Sequence, residues 1–549
     1  MTRCGGRDVQ NCSLAWAEAI PQRDDRPTIK CAQGLREGAG IAPRRLRRAC
    51  IGDNFAYPTD SSRSSFRVID SDSERPATQP ESSDSSLPRR DFLRIAGLGA
   101  GALLGGALPT TADALPSARA ARRPIRRRDA GHVIVIGAGI WGASTALELC
   151  KRGERVTLVD AYGPGNSRAT SGDETRGIRS SYGDRGTSGE LWTAWARRAV
   201  TQWREFDAEH AKDFGTRFFM QTGDLIMRTR DEDFVTKTRE LWTQQNVVFE
   251  NLDGDEIRKR WPVINADDIT VAVYEPDAGV ARARYATQAT AAIAARMGAT
   301  LVTGRVTPGP IVGGVMQYVT LADGTRLTGD AYVFACGPWL GKVFPNLLGN
   351  KIRIPMGTAC YYGTPIADTR FDFPNLPSWN FPGVTGWVAL PVDNRGFRVR
   401  GGVAPPFAPA NPIREKLPEP PPRPPVDPTQ NDPDLSVRWA SADRLEGSRR
   451  LLQRRFPLLA EAPLLETRSC HYESSINRNF VIDLVPDTNN AWVAGLGQAE
   501  GFKFAPIAAQ YVAQRVLGDA GDPALAKAFA MPTESYYSPT GTPGADEDE

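Results

Sequence analysis

Histidine is nearly absent from this chain. Its three copies, His132, His210 and His471, are scattered over 549 residues, which argues against an imidazole-built zinc or di-iron centre, so no metal site is expected. Cysteine is sparse as well. Four of the eight, Cys4, Cys12, Cys31 and Cys50, precede any recognisable element, and Cys150, Cys336, Cys360 and Cys470 match neither a disulfide framework nor a C-x-x-C knuckle. No run reaches the roughly 20 apolar residues of a spanning helix, which excludes a polytopic membrane protein. A surplus of one charge is also lacking, since 67 Lys and Arg face 64 Asp and Glu. The first 130 residues hold 22 basic and 15 acidic residues, a net +7 that leaves −4 for the remainder, so no global basic field points to a nucleic-acid partner. What the chain does contain is 41% apolar and 8% aromatic residues, enough for a large packed core in two to four domains.

Residues 1–87 are rich in Arg, Ser, Asp and Pro without an apolar period and are expected to be disordered or outside the native coding region. Residues 88–120 differ. Pro88-Arg89-Arg90-Asp91-Phe92-Leu93-Arg94 leads into the uncharged run from Ile95 to Leu108, followed by the A-x-A sites Ala112-Asp113-Ala114 and Ala118-Arg119-Ala120. This pattern resembles a twin-arginine export signal and implies the twin-arginine machinery as a partner and a periplasmic or secreted location. A signal this far from Met1 is unusual, and no methionine lies between Met1 and Met220. The expected start is therefore a non-ATG codon, with Val68 a candidate.

The folded part opens at Gly131. The β-branched run His132–Ile136 reads as a buried parallel strand, Gly137-Ala138-Gly139-Ile140-Trp141-Gly142 follows, and residues 143–152 continue as a helix. Arg155–Asp160 is a second strand, ending in an acid 23 residues after Gly137. A lone G-x-G-x-x-G is weak, but strand, glycine loop, helix, strand and acid in this order form a dinucleotide-binding unit. Gly137 makes the tight turn, Gly139 lets a pyrophosphate approach the backbone, and Gly142 lets helix and strand pack closely. Asp160 is placed to accept hydrogen bonds from the adenosine ribose. The motif itself does not separate FAD from NAD.

Further along, helices are predicted over 188–209, 283–297, 434–456 and 505–517, and a strand pair over 214–227 turning at Thr222-Gly223-Asp224. Strands are expected at 330–337, 352–364, 386–391, 396–403, 465–472, 479–483 and 491–495. The proline-dense stretch 404–434 reads as an exposed insertion, and the acidic tail 532–549 as frayed.

Two later blocks make a family visible. Ser171-Gly172-Asp173-Glu174-Thr175-Arg176-Gly177-Ile178-Arg179-Ser180-Ser181-Tyr182-Gly183 is similar to the pattern GDTRIIRxxYG. Cys470-His471-Tyr472, Asn479–Asp483 and Gly501-Phe502-Lys503-Phe504 are similar to CMYT, HFIID and GFKF. With GAGIWG, they give a chain that resembles the monomeric sarcosine oxidase group of flavoenzymes, in the D-amino-acid-oxidase-like superfamily, over roughly residues 131–520. The resemblance implies an α/β fold, α+β overall. A Rossmann-like FAD-binding lobe is assembled from 131–225, 321–350 and 466–520, a mixed segment spans 226–320, and a substrate lobe on a largely antiparallel sheet spans 351–465. It also implies oxidation of an amine C–N bond, with a hydride equivalent passing to flavin N5, imine hydrolysis, and reoxidation by oxygen with release of hydrogen peroxide.

Carried over residue by residue, the resemblance assigns Arg179 and Lys503 to a substrate carboxylate and Arg176 to the edge of the flavin ring. An ion pair with Asp173 or Glu174 is the structural alternative for Arg176. Tyr472 becomes an aromatic wall over the substrate, or else an ordinary core tyrosine. Cys470 stands where the family ties the flavin covalently, or is a buried inert thiol. Arg398 stands where the family has a lysine that promotes reaction with oxygen. Gly137, Gly139, Ile140, Trp141, Gly142, Asp160, Ser171, Arg176, Gly337, Cys470, Gly501, Phe502 and Lys503 are the expected FAD contacts. This chain departs from the pattern at Thr170-Ser171, at the additional Glu174, and at His471, which would lie beside the flavin and is given no acid–base role.

The favoured reading is an exported FAD-dependent oxidase of a secondary (N-alkyl or cyclic) amino acid. The alternatives are an amine dehydrogenase with a quinone or protein acceptor, and a non-catalytic flavin-binding or peptide-maturation protein. Peptide mapping of the native precursor is expected to find no peptide from residues 1–60, and recovery of one overturns the late start.

Overall fold

The computed structural model describes residues 131–391, 393, 395–403 and 432–536. The expected leader 1–87, the export signal 88–120, the insertion up to residue 431 and the tail from 537 lie outside the described residues.

Two sheets organise the chain. The first has six strands in the order Val481–Leu484, Ala491–Gly495, Ala331–Phe334, His132–Ile136, Arg155–Asp160 and Thr300–Thr303. All neighbours are parallel except the edge pair Val481–Leu484 with Ala491–Gly495. The central strand HVIVI is buried at four of its five positions, as a parallel strand covered on both faces must be. The helices Ile140–Lys151, Ala283–Arg296 and Gly501–Val516 pack together beside it, and the long helix Gly189–His210 adds Trp192, Trp195 and Trp203 to the same core.

The second sheet has eight strands in the order Leu464–His471, Met356–Tyr362, Phe397–Gly401, Val384–Trp387, Ser378–Phe381, Asp224–Arg228, Val271–Glu275 and Glu250–Leu252. It is antiparallel apart from Ser378–Phe381 beside Asp224–Arg228. The helix Ala442–Arg455 covers it, and Trp379, Phe397 and Phe456 interlock in its core. A small three-stranded sheet, Thr175–Ile178, Gly279–Arg282 and Phe219–Met220, completes the elements around the site. No helix among the described residues is long and apolar enough to cross a membrane.

Several local expectations are corrected. The segment 214–227 is not a strand pair. Phe219–Met220 pairs with Gly279–Arg282, whereas Asp224–Arg228 pairs with Val271–Glu275 and Ser378–Phe381, so the turn at Gly223 passes the chain from one sheet to another. The helix expected from residue 434 begins at Ala442, because Asp434 is held outside it by Arg305, Lys342 and Trp339. The strand expected at 386–391 is Val384–Trp387. The closing helix starts at Gly501, four residues before the expected start, and carries Pro506 inside it. Its first turn is clamped by indole N–H groups, Trp141 Nε1 to the Gly501 carbonyl at 2.8 Å and Trp203 Nε1 to the Lys503 carbonyl at 2.9 Å. The expected tail is packed as far as residue 536, where Tyr536 is buried and Lys351 Nζ donates to the Pro532 carbonyl at 2.8 Å. The lobe boundaries drawn at 225/226 and 465/466 both fall inside strands of the eight-stranded sheet.

Candidate active site

The glycine loop leaves the first strand with Gly137 at φ +100°, its N–H donating to the Val159 carbonyl at 2.7 Å. A Cβ on Gly137 would stand 2.3 Å from the Ala335 carbonyl oxygen, and one on Gly142 only 1.8 Å from the Gly137 carbonyl oxygen. Both positions therefore require glycine. At Gly139 the nearest atom to such a Cβ is Ser171 Oγ at 3.5 Å, so this glycine faces open space. Ser171 Oγ accepts from the Ile140 N–H at 3.0 Å, and Asp160 accepts from the Ala138 and Tyr162 N–H groups at 2.7 and 2.8 Å.

These residues line a cleft of about 390 Å³ that also takes in Trp141, Gly337, Tyr472, Gly501 and Phe502. The open face at Gly139, the start of the following helix and an acid at the end of the second strand are the parts that hold a pyrophosphate and a ribose. The residues present fit a dinucleotide. Gly142 packs behind the loop, as its spacing implies.

A smaller cavity of about 60 Å³ adjoins this cleft, and the two share Thr170, Arg176, Tyr472, Ala499 and Phe502. Its walls bring together Arg179, Arg398, Cys470 and Lys503, spread over more than 300 residues of sequence, with Trp379, Trp387, Asp224 and Glu500. Arg176 Nη2 lies 3.6 Å from Cys470 Sγ and donates to the Thr170 carbonyl at 2.6 Å, and Arg176 is also paired with Asp173. Arg398 is 2% exposed, bonded to Asp173 at 2.8 Å, and its guanidinium carbon lies 3.9 Å from the Trp387 ring centroid. Its Nε and Nη1 have no hydrogen-bond partner among the described residues. Burial opposes ionisation of Asp173, but Arg176, Arg398 and Arg468 outweigh it and hold the carboxyl far below the usual range. The additional Glu174 turns away from this cluster to Arg284 at 2.8 Å and Arg395 at 3.3 Å.

His471 departs from its expected place. Strand alternation sends Cys470 and Tyr472 to the cavity and His471 to the other face, where it is fully buried and its Nε2 lies 2.7 Å from Ser436 Oγ. Burial and then Arg438 lower its pKa to about 4, so the ring is neutral.

Glu500 was not among the expected residues. It ion-pairs with Lys503, lies 3.4 Å from Arg179 Nη2, and accepts from the Tyr182 hydroxyl at 3.3 Å. Its place three residues before Lys503, on the same helix start, was the available signal. The preceding loop is strained, with Leu496, Gln498 and Ala499 at φ +56°, +53° and +61°. Each such residue costs on the order of 1–3 kcal/mol. The Gln498 amide offsets that cost with bonds to Ser475 Oγ and the Asn479 carbonyl, both at 2.8 Å, and to Ser474 Oγ at 2.9 Å.

The description FAD dependent oxidoreductase matches residues 132–515, which include the glycine loop, both arginine-bearing blocks and the Lys503 helix. The chain belongs to the FAD dependent oxidoreductase family. It is 26% identical over 400 residues to monomeric sarcosine oxidase of Bacillus sp. (strain B-0618), covering 70% of this chain and 92% of that protein. It is 25% identical over 394 residues to N-methyl-L-tryptophan oxidase of Escherichia coli O139:H28, covering 69% and 93%. Among solved structures, fructosamine oxidase (Amadoriase II) of Aspergillus fumigatus shares the fold at a TM-score of 0.58 and 21% identity, covering 73% of this chain and 89% of that one. The α/β fold is thus that of FAD-dependent oxidases, FAD is the cofactor, and the residues of the cleft fit it.

Below the cavity, Asp224 and Glu275 face each other in register on adjacent strands, both buried. Burial lifts Glu275 from 4.5 to about 7, against hydrogen bonds from the Ser180 N–H and hydroxyl. A carboxyl raised on folding stabilises fully below its unfolded value and loses that contribution as pH rises through the folded one. The Glu275 contribution to stability should therefore fall between pH 4.5 and about 7 by about 1.4 kcal/mol per pH unit, and Glu275→Gln should remove this part of the slope. Equal slopes of melting temperature against pH in the two proteins would show that Glu275 ionises normally.

Proposed function

We propose that the chain oxidises the C–N bond of a secondary amine, N-alkyl or cyclic, and that oxygen reoxidises the cofactor with release of hydrogen peroxide. The observation that carries this reading is the junction of the two cavities at Arg176, Tyr472 and Phe502. A small organic molecule there lies against the end of the dinucleotide cleft, between aromatic walls and fixed cations. When bound, FAD supplies a two-electron acceptor at N5 for the hydride of the carbon next to nitrogen. The chain's own residues do the positioning. Tyr472, Trp379 and Trp387 offer aromatic faces to the substrate, Arg176 sets a positive charge at the shared edge, and Cys470 stands where a thioether to the cofactor would form. The relatives named for sarcosine and N-methyl-L-tryptophan support the secondary-amine part of the reading.

Arg398 is proposed as the cation that aids the oxygen step, through the two guanidinium nitrogens without a hydrogen-bond partner among the described residues. One observation favours a dehydrogenase with another acceptor: the Arg398 charge is already matched by Asp173. Export by the twin-arginine route is part of the same proposal and rests on Arg89-Arg90 and the run after them.

The test is anaerobic titration of the purified yellow protein against N-methyl, cyclic and primary amines, with and without a carboxylate. At least one secondary amine should bleach the flavin, and on return to air should yield one peroxide per amine consumed. Bleaching without peroxide supports the dehydrogenase, and no bleaching by any amine overturns the proposal. The acid-precipitated wild type should stay yellow and the Cys470→Ala pellet should not, whereas a colourless wild-type pellet rules out the thioether.

A further inference from the structure

Resting on the amine-oxidising reading of the same site, we propose that Glu500 fills, from within the chain, the place a substrate carboxylate would take between Arg179 and Lys503, so that the substrate is an amine without a free carboxylate beside the reacting carbon. The carboxylate group of Glu500 makes the contacts expected of a bound anion. One oxygen meets Lys503 Nζ and the Tyr182 hydroxyl, and the other faces the Arg179 guanidinium. Lys503 is itself 2% exposed and bonded to the Tyr182 hydroxyl at 2.6 Å, so it has little freedom to turn to another partner. Arg179 is likewise committed, with Nη1 donating to Ser181 Oγ at 2.6 Å and to the Ser181 carbonyl at 3.1 Å.

The charge balance agrees with this placement. Two cations facing an empty cavity would attract a carboxylate strongly. With Glu500 between them and Asp224 on the same wall, the attraction of Arg179 and Lys503 is largely cancelled before any ligand arrives, as that of Arg176 and Arg398 is reduced by Asp173. The loop that delivers Glu500 holds three non-glycine residues in the left-handed region and is locked by the Gln498 amide, so the carboxylate is fixed in position. Its side chain keeps 24% of its surface exposed and lines both the inner cavity and a second cavity of about 200 Å³ on the far side of Arg179. Glu500 therefore faces an incoming ligand, repelling a carboxylate and attracting an ammonium group. Trp379, Trp387 and Tyr472 add aromatic faces suited to an apolar or cationic amine, beside Arg176 and Arg398, whose charge is met by Asp173, and beside Arg400.

The experiment titrates phenylacetate and phenethylamine, matched in size and opposite in charge, into the oxidised holoenzyme, following the flavin absorbance. Wild type should bind phenethylamine and show no saturable response to phenylacetate at millimolar concentrations. Glu500→Gln should tighten phenylacetate by at least about tenfold and weaken phenethylamine. Saturable binding of phenylacetate by the wild type overturns the proposal and moves the anion site to Arg400, a lining cation with no carboxylate partner among the described residues. The wild-type arm decides the matter even if Glu500→Gln does not fold, and Glu500→Asp gives a second variant with the charge kept but the reach shortened. Failure of every amine to bleach the flavin would remove amine oxidation without touching the clamp, whereas saturable phenylacetate binding would remove the clamp assignment alone.

Discussion

Asp173 loses its water on folding, and that loss is tolerable only because three arginines converge on it from three different strands. Arg176 comes from Thr175–Ile178, Arg398 from Phe397–Gly401 at 2.8 Å, and Arg468 from Leu464–His471 at 3.5 Å, while the Tyr361 hydroxyl donates from a fourth strand at 3.2 Å. One carboxylate thus ties the small sheet to the eight-stranded one at the junction of the two cavities. Three positive charges against one negative leave a surplus at the edge where Arg176 faces the dinucleotide cleft. A buried cluster of this kind is costly to assemble and costlier to break, because each arginine left behind would be a desolvated charge without a partner.

The second charge cluster is built with the signs rearranged. Around Glu500 the cations are spent on an internal acid, and the cavity between the clusters keeps its aromatic walls beside Arg400. The two clusters divide the labour by position. The Asp173 arginines fix the strands that frame the junction, and the Glu500 group lines the cavity and the neighbouring space beyond Arg179. Each is anchored by a backbone feature that local sequence alone does not explain, the tight turn at Thr170–Gly172 for Asp173 and the left-handed loop 496–499 for Glu500.

Much of the dinucleotide lobe was legible because its signals are local. Gly137, Gly139, Gly142 and Asp160 lie within one strand–helix–strand unit, and the run HVIVI can be little other than a doubly covered strand. The residue types of the inner cavity were legible only through resemblance, since Arg176, Arg398, Cys470 and Lys503 meet through long-range pairing. The misreadings have physical causes. Asp224–Arg228 looked like the second half of a hairpin because its neighbour in sequence was a strand, yet its partners begin at Val271 and Ser378. His471 looked like a cavity residue because Cys470 and Tyr472 flank it, but alternation turns it to the opposite face. Glu500 was passed over because the closing helix was expected to start only at residue 505, and only tertiary packing brings Arg179 to it.

The claim on which the rest depends is that Asp173 holds the arginines of the junction by charge and not by shape. Replacing it with asparagine keeps the shape and removes the charge, so urea denaturation of wild type and Asp173→Asn, each with flavin bound, tests the claim directly. Leaving Arg176 and Arg398 without their counter-ion should lower the unfolding free energy by about 3–5 kcal/mol. A loss below about 1 kcal/mol, the range of an ordinary surface substitution, would contradict the account.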